Sequence, residues 1–420
     1  MPRSSRSWPA TETRDSHTLA PMFRVRPRPA ALAAAFACAV CMVVPASSSA
    51  KPAVPAGFVG VNMNSPLFPT LGVNLPNQLD TMVASGVQTI RVVFDWASAQ
   101  PYPNWNSVPA AQRSQFTRVG GVPTRFGDLD RLVALAAKRG LRVFPTILYT
   151  PSWDAAPSSG SSLAIPEQDG PYAAFCAALV RRYGPHGTFW TTHSPSVPIR
   201  MWEIWNEPNL AFYWPEQPFE QSYVALLHAA HDAIKAADSS AQVMVGGLTN
   251  ASWNALSLIY SVRGAGKWFE GVALHPYTKY PAGVITILGF VRQVLIKHGG
   301  AGKSMVADEI SWPSSQGIDS NPAGLDIGTT EAGEAKNVAA VLPLLANNRR
   351  SLHLVEFDYP TWASIDDPGG NLFDFSGLYH YAGHGRFTAK PAAAAFRKGA
   401  LALEHCRRMS QIASVCASQG

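Results

Sequence analysis

The sequence predicts an α/β fold, a single-domain (β/α)8 TIM barrel, and three observations carry that expectation. Eight short runs rich in β-formers alternate with Ala/Leu-rich helical stretches after Lys51. Most of these runs are apolar on both faces, as strands of a parallel sheet covered on both sides must be. No G-x-G-x-x-G or Walker pattern follows an early strand, which removes support from an open, doubly wound nucleotide-binding sheet.

The candidate strands are Phe58–Met63, Thr89–Phe94, Leu141–Leu148, Ile199–Trp205, Gln242–Gly247, Gly271–His275, Ser304–Glu309 and Leu352–Tyr359. Helical patterns fall between them at Asp128–Arg139, Pro171–Tyr183, Phe219–Ala237 and Glu331–Asn347. The longer connections after the second, third and fourth strands are expected to build a site, because catalytic groups in such barrels sit at the C-terminal strand ends.

Composition narrows the function classes. The chain has 420 residues, 47% hydrophobic and 15% charged, enough for a large core and too apolar for long-range disorder. Its formal charge is +6, and six arginines against Glu12 and Asp15 place most of that excess in residues 1–50. The remainder is nearly neutral, so nucleic-acid binding has no electrostatic footprint.

Within that leader, Arg24, Arg26 and Arg28 precede an apolar run from Ala30 to Val44 and the small residues Ser48-Ser49-Ala50. Basic, apolar, then small is the order of a secretory signal cleaved after about Ala50, with translation starting at Met1 or Met22. The expectation is an exported protein without stable membrane association; an uncleaved anchor is the alternative. Residues 51–400 are then the barrel domain and 401–420 a C-terminal tail. Cys176 lies in an apolar helical stretch and reads as core, while Cys406 and Cys416 are close enough to pair in an oxidising compartment.

The fourth strand runs into Trp205-Asn206-Glu207-Pro208-Asn209, and the seventh into Asp308-Glu309-Ile310-Ser311-Trp312. Two carboxylates on opposite sides of one barrel mouth form the pair that glycoside hydrolysis needs, one to protonate the leaving oxygen and one to attack or activate water. Aromatic residues crowd both ends; they can stack on sugars, and they raise a neighbouring carboxyl's pKa by desolvation.

Trp205-Asn206-Glu207-Pro208-Asn209 resembles the acid/base signature of clan A retaining glycoside hydrolases, and Leu210-Ala211-Phe212-Tyr213-Trp214 resembles family 39 and cellulase-like family 5 proteins. Arg91 in Thr89-Ile90-Arg91-Val92, Tyr149-Thr150-Pro151-Ser152-Trp153, His275-Pro276-Tyr277 and Tyr359-Pro360-Thr361-Trp362 resemble the clan's other strand ends in order. The likeness spans about residues 57–400. It implies Glu207 as acid/base, Glu309 as nucleophile, Asn206 on the sugar 2-hydroxyl, and Arg91 and Tyr277 beside the nucleophile with His275 near. Trp362 would floor the sugar site, with Trp214 and Trp153 as further platforms. The implied partner is a carbohydrate substrate, with no cofactor and no metal.

Two positions depart from the pattern. Asp308 stands where a small polar residue is usual, and Ser311 where glycine is common. In a regular strand Asp308 points to the face opposite Glu309; turned inward, it would bear on the nucleophile's ionisation. Family 39 members also carry a β-sandwich appendage that this sequence does not offer, so the resemblance implies a mechanism and leaves the sugar open. Glu203 reads as a structural partner inside the barrel, and Glu356 and Asp358 invite the same caution. A transglycosylase on the same site and a non-catalytic carbohydrate-binding barrel are the rival readings. No Gly-x-Ser-x-Gly elbow supports an esterase.

Overall fold

A computed structural model describes residues 53–63, 72–157, 163–318, 325–406 and 413. All of them fall in one compact unit, Ser49–Gly420. The basic leader, the expected cleavage region and Cys416 lie outside the described residues.

In chain order the elements are β1 (Val59–Met63), α1 (Leu75–Ala84), β2 (Thr89–Asp95), the short α2 (Trp96–Ala99), a hairpin of β3 (Thr117–Val119) and β4 (Val122–Thr124), α3 (Gly127–Ala137), β5 (Arg142–Leu148), α4 (Asp169–Tyr183) and β6 (Met201–Ile204). There follow α5 (Glu220–Ala237), β7 (Gln242–Leu248), α6 (Ser252–Ser261), β8 (Gly271–Leu274), α7 (Pro281–Lys297), β9 (Ser304–Ala307), α8 (Glu331–Leu352) and β10 (Leu354–Tyr359). The small strands β11 (Ala363–Ser364), β12 (Tyr379–Tyr381) and β13 (Phe387–Ala389) precede α9 (Pro391–Leu403).

Eight parallel strands close in the order β1-β2-β5-β6-β7-β8-β9-β10, the expected barrel. Helix faces explain the outer ring. In α5, Tyr223, Leu226, Leu227, Ala230 and Ile234 recur at helical spacing and are buried against the sheet. Inside the barrel, Phe144, Met244 and Val306 from β5, β7 and β9 form a separate apolar cluster, as alternate strands do when they fill such an interior in layers.

The expected strands match within a few residues, and the discrepancies fall where they matter. Three runs read as strands through Trp205, His275 and Glu309 stop at Ile204, Leu274 and Ala307. The backbone leaves the ladder where it turns functional side chains into the mouth. Helix α8 runs beyond Asn347 to Leu352 because Leu345 and Leu352 remain buried, and ends where His353 turns left-handed at φ 52°. The expected tail is partly structured: α9 reaches Leu403, and the buried Ala413 donates its N–H to Arg139 O at 2.7 Å. Cys176 is a buried free thiol, as read, and Cys406 is disulfide-bonded. No helix among the described residues is long and apolar enough to cross a membrane.

Candidate active site

The site begins where β6 stops. Trp205 (φ 68°) and Glu207 (φ 43°) occupy the left-handed region, as does Tyr149 (φ 68°) just beyond β5. Non-glycine residues there cost on the order of 1–3 kcal/mol each and persist only when surrounding contacts fix them. Those contacts are present. Glu207 N–H donates to Gly247 O at 3.1 Å, and the Trp205 indole N–H donates to Tyr213 O at 2.8 Å. Asn209 Nδ2 donates to Thr249 O at 2.8 Å, tying the loop to the end of β7. The Tyr223 hydroxyl, reaching in from α5, donates to Ile204 O and accepts from Gly246 N–H. It thereby gives a partner to backbone groups at the end of β6 and within the stretch of β7 where the register with β8 shifts, between Val245 and Leu248.

Arg91 on β2 is the hub. Its Nε and Nη2 donate to the two oxygens of Glu203 at 2.8 and 2.9 Å, Nη2 also donates to Asn206 Oδ1 at 2.8 Å, and Nη1 donates to Glu309 Oε1 at 2.9 Å. Burial opposes the charge, but Glu203, Asp308 and Glu309 outweigh it and hold the guanidinium pKa well above its ordinary value. Glu203 is fully buried, and burial pushes its pKa up to about 7 against the pull of Arg91. Gly247 N–H and the Thr146 hydroxyl also donate to it. With every contact a donor, the carboxylate is the form this pocket accommodates. Glu203 is thus the anchor of Arg91 inside the barrel, with no surface of its own.

Glu309 receives Arg91 on one oxygen and the Tyr277 hydroxyl, at 2.6 Å, on the other. Burial and the Glu309 charge raise the Tyr277 phenol well above its ordinary pKa, so it stays a donor. Glu207 lies opposite, its Oε1 2.7 Å from His275 Nδ1. Burial raises the Glu207 pKa, while His275 pulls it down less strongly. One oxygen of Glu207, one of Glu309 and a His275 nitrogen all lie within 4.8 Å of one another. Six of the expected residues therefore converge: Arg91, Asn206, Glu207, His275, Tyr277 and Glu309.

The three tryptophans do not converge in the same way. Trp362 is fully buried, tilted against Tyr379, with its indole N–H on Gln78 Oε1 at 2.9 Å. Trp214 is buried edge-on against Trp205 and Tyr223, its N–H on Ser222 Oγ at 2.9 Å. Both rings find internal partners for face and N–H alike, so the expectation of sugar platforms is corrected to core packing at these two positions. Trp153 is half-buried, edge-on to Trp96, and donates to Gln100 O.

Asp308 also departs from expectation. It turns into the barrel, fully buried, with Oδ2 2.9 Å from Arg91 Nε and 3.5 Å from His275 Nε2. The alternation rule fails because β9 ends at Ala307. Tyr213 was passed over beside Trp214, yet its half-buried phenol, raised chiefly by burial, also feels Glu207 and Glu309. Gly247 carried no signal in the sequence: a Cβ there would lie 2.0 Å from His275 Nε2. Sequence spacing likewise hid two His/carboxylate sets close enough to share an ion, Glu203–His275–Asp308 and Glu207–His275–Glu309. The Arg91 guanidinium already supplies positive charge to Glu203, Asp308 and Glu309.

A scan against protein-family models finds no match, and no curated protein matches the sequence. Solved structures do. A family 39 glycoside hydrolase from Bacteroides cellulosilyticus WH2 is similar at 18% identity and TM-score 0.60, over 84% of this chain and 64% of that one. A monomeric beta-xylosidase from Caulobacter crescentus CB15 is similar at 20% identity and TM-score 0.58, over 83% and 68%. An endoglucanase from Pseudomonas stutzeri is similar at 14% identity and TM-score 0.51, over 86% and 99%. The chain spans just under two thirds of the first of these, and at such identities the likeness establishes a shared barrel fold.

Proposed function

We propose that this protein is an exported retaining glycoside hydrolase that cleaves O-glycosidic bonds by double displacement. The observation that carries the reading is the approach of Glu207 and Glu309, with an oxygen of each within 4.8 Å of the other. Retaining enzymes hold their carboxyl groups about 5–5.5 Å apart, whereas inverting ones need about 6.5–9.5 Å to admit a water.

The surroundings suit two different roles. Glu309, gripped by Arg91 and Tyr277, has both oxygens stabilised as an anion and is the nucleophile. Glu207, whose proton affinity burial raises, is the acid. In the first step Glu309 bonds to the anomeric carbon while the leaving oxygen departs with its electron pair and takes the Glu207 proton. In the second, Glu207 removes a proton from water, which attacks the same carbon and releases Glu309. Asn206 accepts from Arg91 through Oδ1, which leaves its amide N–H groups to donate to a sugar hydroxyl.

Proton NMR of the first product formed from a panel of aryl glycosides tests the reading. Initial release of the anomer that matches the substrate is expected; the opposite anomer would overturn double displacement. Rising yields of longer glycosides at high acceptor concentration would identify the transglycosylase reading. Sugar binding with no turnover across the panel would favour the non-catalytic one.

A further inference from the structure

The deepest departure from the clan pattern, Asp308, is also where the site's charge balance is decided. Its Oδ1 accepts from Leu274 N–H at 2.7 Å, while its own N–H donates to Leu274 O at 3.1 Å. This two-point clamp on the end of β8 leaves the carboxylate little freedom to swing. The same strand delivers His275 one residue later. Oδ2 then sits between two cationic groups, 2.9 Å from Arg91 Nε and 3.5 Å from His275 Nε2.

The imidazole is equally confined. Nδ1 is 2.7 Å from Glu207, Nε2 is 3.5 Å from Glu309 Oε1, and Gly247 closes one side so tightly that a methyl group would overlap the ring. A bare Nε2 lone pair facing Asp308 and Glu309 would be repelled, so that nitrogen carries a proton. Nδ1 must donate to Glu207 as well, if the Glu207 proton is to be free for the leaving oxygen.

We propose that Asp308 is a positioning residue of the reaction centre: its clamped carboxylate holds His275 as an imidazolium between the two catalytic glutamates and presses Arg91 against the nucleophile. The proposal rests on the two-glutamate reading above and adds the group that keeps the pair in step. Burial pulls the His275 pKa down, but Glu309 and Asp308 outweigh it and hold the ring well above the usual histidine value. Burial likewise works against ionised Asp308, and Arg91 and His275 overcome it to leave its pKa below the ordinary range.

The charge around His275 changes sides as the reaction proceeds. When Glu309 becomes an ester it loses its charge, and Glu207, having given up its proton, gains one. The negative charge beside His275 thus passes from Glu309, 3.5 Å from Nε2, to Glu207, 2.7 Å from Nδ1. Asp308 never reacts, so it keeps the ring charged throughout. The other titratable groups facing this cluster are Glu203, which Arg91 binds on both oxygens, and Glu356 and Asp358 from β10, whose pKa values burial raises, that of Glu356 to about 8. Among these buried carboxyls, Asp308 is the one whose pKa is lowered rather than raised.

The test uses the full chain with Asp308→Asn, and with Asp308→Ser as a smaller change that keeps an acceptor near Leu274 N–H. Histidine-¹⁵N NMR, with the His275 signal assigned through His275→Asn, reads the ring directly. In the wild type the His275 ring should be doubly protonated at pH 7. In the variants its titration midpoint, and the alkaline limb of the kcat profile, should move to lower pH by about one unit or more, the effect of removing an opposite charge at this range. KM should change less than kcat. A His275 ring already neutral at pH 7 in the wild type would overturn the proposal. So would variants that lose thermal stability while both the ring titration and the limb stay in place. A shifted ring in a chain that cleaves no glycoside would support the Asp308 role and overturn the hydrolase reading alone.

Discussion

Gly247 gives the sharpest perturbation that leaves every ionisable group intact. A Cβ built there falls 2.0 Å from His275 Nε2 and 2.7 Å from two ring carbons. Ordinary van der Waals contact begins near about 3.4 Å, so the imidazole in Gly247→Ala must retreat by about 1 Å or more. The ring is fully buried, and the move carries Nδ1 away from a 2.7 Å contact with Glu207. Misplacement on that scale lowers turnover by about 100-fold, and overpacking lowers stability by about 1–3 kcal/mol. The assay pairs kcat/KM on an aryl glycoside with thermal unfolding of the same sample. A folded Gly247→Ala protein with wild-type turnover would refute the claim that His275, held against Gly247, governs Glu207.

Further outcomes follow from the same geometry. Glu207→Gln should lower kcat by about 10²–10⁴-fold on glycosides with poor leaving groups, since general acid catalysis supplies about that much. Leaving groups that need no protonation should suffer far less in glycosylation. Arg91→Met should destabilise the fold by about 3–5 kcal/mol in denaturant titration, because it strands the fully buried Glu203 without its cation and takes from Asp308 the nearer of its two. Burial raises Glu356 from its ordinary value to about 8, and Asp358 beside it well above its own. The folded state therefore holds protons that the unfolded chain releases near pH 4–5. Stability should fall as pH rises from about 5 through 8, by at most about 1.4 kcal/mol per unit per group. Glu356→Gln should flatten that slope, and an unchanged slope would show that the pair does not carry it. Trp362→Phe should lower the melting temperature more than it alters KM for the glycone, as expected of a ring packed on Tyr379 rather than on sugar.

What the sequence made legible was the barrel and the polar groups at its mouth. Strands buried on both faces read as continuous apolar runs, so β2, β7 and β10 were visible nearly to the residue. The residues at the C-terminal strand ends were legible because Trp205-Asn206-Glu207-Pro208-Asn209 and His275-Pro276-Tyr277 are short, ordered patterns. Less visible was anything that depended on how a strand ends. Period-two alternation places Asp308 outside, but pairing stops at Ala307 and the next residue turns in. Tryptophan identity gives no account of what will cover its faces, which is why Trp214 and Trp362 read as platforms and prove to be core. The small sheet of β11, β12 and β13 was missed because its strands are only two or three residues long. The need for glycine at 247 exists only once His275 has arrived from another strand.

The most direct measurement is reaction of the purified protein with a panel of activated 2-deoxy-2-fluoro glycosides, followed by intact-mass analysis and peptide mapping. A stable adduct on the peptide containing Glu309, absent from Glu309→Gln, is the predicted result; it would establish nucleophile, retention and one accepted sugar together. An adduct on any other carboxylate, or turnover of the same glycosides by Glu309→Gln at the wild-type rate, would contradict the assignment of Glu309 as the nucleophile.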